Sequence, residues 1–131
     1  MKLERETYSS GTKWEPFVGY SRAVKKGPFI WISGTTATDE SGNIVGGDDS
    51  YAQTVQILKN VKRALHALGA DFTDVVRTRI FVRNISEWDK IGKAHGEVFS
   101  DIRPATSMIE VSRFIDERML VEIEVEAVLN T

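Results

Sequence analysis

The run VEIEVEAV, residues 121–128, alternates aliphatic and acidic residues without interruption. Successive side chains of a β-strand point to opposite sides. A strand here sends Val121, Ile123 and Val125 one way and Glu122, Glu124 and Glu126 the other. It therefore belongs to a two-faced sheet, with the aliphatic side covered by another layer and three carboxylates lining the far side.

The covering layer is legible upstream. In residues 50–69, Tyr51, Val55, Leu58, Val61, Leu65 and Leu68 recur at spacings of three and four, the stripe of an amphipathic helix. Ser50 and Gln53 have capping-box spacing, and Gly69 supplies the left-handed stop. A second helix follows Ile85, with Ser86 and Asp89 placed to cap it and Ile85 to staple it. Its apolar face reads Trp88, Ile91, His95, Val98 and Phe99.

The other strands follow from alternation and turn residues. MKLERETYS suits an edge strand, and SSGTKWEPF a polar connector. VGYSRAV and PFIWISG, parted by Lys25, Lys26 and Gly27, read as a hairpin. Phe29, Trp31 and Ser33 share one face of its second strand; Ile30, Ile32 and Gly34 share the other. A long loop with a Ser41-Gly42-Asn43 turn precedes the first helix. DVVRTRIFVRNI sends Val76, Thr78, Ile80 and Val82 one way and Arg77, Arg79, Phe81 and Arg83 the other. The last third offers strands at roughly 105–113 and 118–129 around the turn 115–118. The order β-β-β-α-β-α-β-β predicts one α+β domain over residues 1–131, a mixed sheet with two helices on one face.

Arginines and carboxylates on the uncovered face allow two readings: a solvated, mutually paired surface, or a subunit interface or cleft. Composition narrows the function classes. No cysteine is present, which removes disulfides, thiolate nucleophiles and thiolate metal sites. Two distant histidines give no metal-ligand spacing. A net charge of −2 with scattered lysines and arginines argues against nucleic acid as a partner. Neither a signal-peptide pattern nor a run long enough to span a membrane is present, so the expected location is the cytoplasm with no membrane partner.

The Ser-Gly after PFIWI, the helix ending in LGA, the strand VVRTRIFV, and above all RPATSMIEV followed by LVEIEVEAV resemble the RidA (YjgF) family. The resemblance is collinear from Pro16 to about Val128. It implies a chorismate-mutase-like fold and a homotrimer with sheets inward, helices outward and three clefts between subunits. For one branch it implies cofactor-free hydrolysis of enamines and imines such as 2-aminoacrylate and 2-iminopropanoate to ketoacids and ammonia. In that branch an arginine after Pro-Ala grips the substrate carboxylate, and a glutamate on the last strand handles water. A tyrosine and a serine complete the pocket.

Carried over, Glu122 falls on the glutamate and Ser33 on the serine, Phe17 on the tyrosine, and Thr106 on the arginine. A threonine donates one neutral hydrogen bond where the arginine offers two charge-assisted ones. Three residues could supply the missing cation: Arg79, Arg103 and His95. Each also has a structural reading: Arg79 paired with the strand carboxylates, Arg103 solvated or in an interface ion pair, His95 a core histidine. The resemblance thus implies a small-molecule ligand at subunit interfaces, with Glu122 catalytic and ordinary 2-iminopropanoate deamination weak or absent. The alternative is a non-enzymatic trimer that binds a metabolite or docks on a protein. Ribonuclease action or translation inhibition, attributed to family members, is disfavoured by the acidic charge.

Overall fold

A computed structural model describes residues 3–130. It contains one six-stranded sheet of order β1-β2-β3-β6-β4-β5. The strands are β1 (Arg5–Tyr8), β2 (Ala23–Lys26), β3 (Phe29–Thr35), β4 (Val75–Val82), β5 (Ala105–Glu110) and β6 (Val121–Val128). The helices are α1 (Trp14–Val18), α2 (Ser50–Ala67) and α3 (Trp88–Phe99). β4 and β5 run parallel, which α3 makes possible by carrying the chain back between them. All other pairings are antiparallel.

The alternating run is the inner strand β6, flanked by β3 and β4. Val121, Ile123, Val125 and Ala127 are buried beneath Ile57, Leu58, Val61 and Leu65 of α2. Glu122, Glu124 and Glu126 stand on the other side, half-buried. Each valine or isoleucine so buried contributes roughly 1.5–3 kcal/mol, which holds the register against a one-residue slip.

Several local expectations shift. The connector before the hairpin contains α1, which ends at Gly19 in the left-handed region, so β2 begins only at Ala23. Asp49, not Ser50, caps α2 through the Ala52 N–H. The buried stripe of α2 is rotated to include Thr54 and Gln53, both fully buried, while Tyr51 and Val55 are only partly covered. Asn84 caps the short turn before α3 in place of Ser86, and Trp88 is exposed where burial was expected. Val76 leaves the core face because β4 bulges between Val75 and Arg77. The strands on either side of the 115–118 turn are not neighbours, since β4 lies between β5 and β6. A single stretch of sequence cannot reveal that separation, which arises from the crossover through α3.

Gln53 has a structural task that its polarity concealed. Its Nε2 donates to the carbonyls of Gly47 (3.1 Å) and Arg118 (2.8 Å), and its Oε1 accepts from Leu120 N–H (2.9 Å). One side chain thus ties α2 to the loop that leads into β6. Gln53→Leu keeps the shape and raises the apolar content, yet leaves backbone groups unpaired. Urea unfolding should show a loss of about 2 kcal/mol or more, the desolvation penalty outweighing the added methyl groups.

Candidate functional site

The site begins with a β-bulge. On β6 one residue separates Val125 from Ile123, while on β3 two separate their partners, Ile32 and Thr35. The extra residue turns Thr35 into the core beside Ile30 and Ile32, and removes Gly34 from that face. Gly34 instead lies against Glu122. A Cβ there would meet Glu122 Cδ at 2.7 Å and Oε1 at 2.8 Å, so the carboxyl occupies the space a side chain would need. Ser33 is held in the bulge, its Oγ donating to the Ser21 carbonyl at 2.7 Å.

Arg22 pins this bulge from behind and is only 7% exposed. Its Nη1 donates to the Gly34 carbonyl (2.5 Å) and approaches Thr35 Oγ1 (3.4 Å); its Nη2 reaches the Tyr20 hydroxyl (3.2 Å). Arg22 Nε lies 3.9 Å from Glu15 Oε2, on α1. Burial pushes the Glu15 carboxyl up, but hydrogen bonds from the Ser10 and Thr12 hydroxyls outweigh it and hold the group below its ordinary range. The loop 9–12, α1 and the β3 bulge are therefore joined through one buried ion pair.

Glu122 responds to this surrounding. Burial raises its pKa, Arg22 lowers it in part, and Glu124 adds to the rise. Glu122, Gly34 and Arg22 open onto a cavity of about 520 Å³. Its walls include Tyr20, Trp14 and, from the loop before β6, Arg113 and Phe114. That volume falls within the roughly 300–1,000 Å³ typical of small-molecule sites.

The remaining residues that the sequence singles out lie elsewhere. Thr106 is paired in register with Thr78, whose buried side chain belongs to the helix-covered face, opposite Glu122. Its Oγ1 is 2.8 Å from Thr78 Oγ1, which in turn is 2.9 Å from His95 Nε2. Thr106 Oγ1 also lies 3.1 Å from the Pro104 carbonyl. Burial lowers the pKa of His95, which packs 4.7 Å from the Phe99 ring, and so disfavours its charged form. Arg79 shares Glu122's face but sits 3.7 Å from Glu124 and 3.4 Å from Glu126. Arg103 adopts a left-handed φ of 55° after α3 and donates from Nε to the Ser100 carbonyl at 3.0 Å, a cation at a helix C-terminus. Phe17 is 90% exposed; its neighbours Trp14 and Val18 line the cavity and it does not. Within one chain, Glu122 lies against Gly34, while the hydroxyl of the adjacent Ser33 is bonded to the Ser21 carbonyl. Thr106 and His95 form a second group on the other face.

Arg22 and Glu15 are the residues sequence reasoning missed. A charge inside VGYSRAV and another inside WEPFV were visible signals. Glu15 lies in α1 and Arg22 beyond its end, so no single periodicity relates them and only the folded turn at Gly19 pairs them.

Residues 11–129 match the family described as endoribonuclease L-PSP. The chain belongs to this family, also called YjgF or RidA. Among relatives, a Streptomyces coelicolor protein designated SCO2049 is 37% identical over 118 residues, covering 90% of this chain and 87% of its own. The 3-aminoacrylate deaminase RutC of Acinetobacter baylyi is 30% identical over 108 residues, covering 82% and 85%. The crystal structure of Rv2704, a YjgF/YER057c/UK114 family member from Mycobacterium tuberculosis, superposes with a TM-score of 0.88 at 45% identity, covering 96% of this YjgF/RidA chain and all of that one.

Two outcomes follow from the Glu122 environment. A carboxyl whose folded pKa lies above its unfolded value favours the fold most at low pH and loses that contribution as pH rises through the folded value. Glu122→Gln should therefore be more stable than the parent at pH 7, the difference closing by about pH 4, near the ordinary glutamate value. Thermal melts across that range measure it. Gly34→Ala meets only the flexible end of Glu122, so melts should show a folded protein with its carboxyl displaced, visible as a changed Glu122 titration by NMR.

Proposed function

We propose that the protein assembles as a homotrimer in which Glu122 acts as general base or water-positioning group on a small imine, enamine or related carbonyl compound. The observation that carries this reading is a carboxyl with raised proton affinity, seated against Gly34 and near Arg22, opening on a cavity of ligand size. A base poised nearer neutrality takes a proton from water more effectively than an ordinary carboxylate. The hydroxide so generated adds to the C=N carbon. The proton held by Glu122 passes to the adduct's nitrogen, the second proton of the water follows from the new hydroxyl, and the C–N bond breaks to release ammonia and leave a carbonyl. Kinship with a protein called 3-aminoacrylate deaminase supports the substrate class.

Trimer formation is favoured by the placement of Thr106, which can share a site with Glu122 only across a boundary between copies. Exposed apolar side chains at Phe17, Val18 and Ile115 provide surface for such contacts. At position 106 a hydroxyl replaces the two-pronged charged contact, a difference of roughly 1–2 kcal/mol or about tenfold in affinity. Deamination of 2-iminopropanoate is accordingly weak or absent.

One observation favours a second reading. The Thr106 hydroxyl is already engaged with Thr78 and the Pro104 carbonyl, leaving little donor capacity for a ligand. A non-enzymatic trimer holding a metabolite in its clefts fits that arrangement. Recognition of RNA is disfavoured by the three carboxylates that line the uncovered face.

Light scattering should return three times the chain mass; a monomer removes the clefts and this reading with them. Release of pyruvate and ammonia from 2-iminopropanoate should be slow in the parent, lost in Glu122→Gln, and increased about tenfold in Thr106→Arg. Rapid, Glu122-dependent turnover by the parent would show that the residue at 106 is unimportant. Ligand binding without turnover would select the second reading.

A further inference from the structure

Three guanidinium groups line the Glu122 cavity, those of Arg22, Arg63 and Arg113. They differ in what they are free to do. Arg22 is buried and spent on the Gly34 carbonyl, the Tyr20 hydroxyl and Glu15. Arg63 Nη2 lies 3.4 Å from Glu40 Oε1, itself part of the cavity wall. Arg113 is exposed and has no ion pair or side-chain hydrogen bond among the described residues. Its loop is nevertheless anchored on the far side, by Gln53 to the Arg118 carbonyl and Leu120 N–H, and by Arg83 to the Glu117 carbonyl. An unengaged guanidinium on an anchored loop presents a planar fork suited to a carboxylate.

The other cations near the sheet do not compete. Arg79 is held between Glu124 and Glu126, Arg103 closes the end of α3, and His95 lies on the opposite face, where burial disfavours its charged form. The size of the cavity adds a constraint on the ligand. A three-carbon ketoacid would leave most of 520 Å³ to water, so an occupant that fills it separates its charged end from its reacting carbon.

We propose that Arg113 is the anion anchor of the Glu122 cavity, and that the ligand is a carbonyl, imine or enamine compound whose carboxylate lies several atoms from the reacting carbon. This rests on the reading of Glu122 as the centre of the site. It makes specificity a property of the loop before β6 rather than of position 106. The carboxylate sits at the Arg113 wall while the C=N or C=O carbon reaches the floor formed by Glu122 and Gly34. Phe114 offers apolar contact to the methylene groups between them.

Levulinate, a stable ketone with a distant carboxylate, is the probe, with its uncharged methyl ester and pyruvate as comparisons. Calorimetric titration of the parent should show levulinate bound more tightly than either comparison. Arg113→Gln should weaken levulinate at least tenfold while leaving the ester unchanged, the signature of a lost charge-assisted pair. Arg113→Lys should restore part of the affinity. No levulinate binding by the parent, equal affinity in Arg113→Gln, or equal losses for acid and ester each overturn the proposal. Parallel titration of Glu122→Gln separates the two levels. Levulinate binding sensitive to Glu122 but not to Arg113 removes the anchor and keeps the site; binding indifferent to both removes the site as well.

Discussion

The inner strand β6 must serve two environments at once, and the remainder of the molecule accommodates that demand. One face carries Val121, Ile123, Val125 and Ala127 into the dry layer under α2, and the other holds three carboxylates, two of them within reach of arginines on β4. Because strand side chains alternate strictly, neither face can change without changing the other. The aliphatic burial secures the register, and the register decides where each glutamate stands. Glu124 and Glu126 meet Arg77 and Arg79. Glu122, one step further along, meets Phe81 on one neighbouring strand and the β3 bulge on the other.

That bulge is what turns one of three similar carboxylates into a distinct group. It removes Gly34 from the core face and presents a residue without a side chain to Glu122. Arg22 keeps the bulged carbonyls satisfied, and Glu15 keeps Arg22 in place. Removing one member of a buried pair leaves an uncompensated charge, a penalty of about 3–5 kcal/mol, so the network is rigid through mutual dependence. Its electrostatic effect at Glu122 is a balance: burial favours the protonated acid and Arg22 opposes it without prevailing.

Acid and free cation are thus supplied by different parts of the architecture. The acid stands on the most constrained strand of the sheet, while Arg113 projects from a connection whose ends alone are tied down. In enzymes and binding proteins alike, a rigid floor with a variable loop above it lets recognition diverge while the reactive group stays put. Thr106 stands apart from both, hydrogen-bonded within the helix-covered face of the same chain.

The sequence by itself determined the succession of six strands and two long helices along the chain, the two-faced character of β6 and the kinship with YjgF/RidA proteins, because periodicity and collinear motifs are properties of short or consecutive stretches. It also singled out Glu122, which stands against Gly34 of the bulge, and Ser33, whose hydroxyl is bonded to the Ser21 carbonyl. Bulges in β3 and β4, the buried role of Gln53, the separation of β5 from β6, and the pairing of Glu15 with Arg22 were decided only by the tertiary structure. Each depends on atoms far apart in the chain, and one inserted residue in a strand reverses faces without altering the composition around it. The opposition of Thr106 and Glu122 across the sheet of one chain has the same origin: the resemblance implies a pocket between subunits, and only the register of β4 with β5 and β6 puts the two side chains of a single chain on different sides.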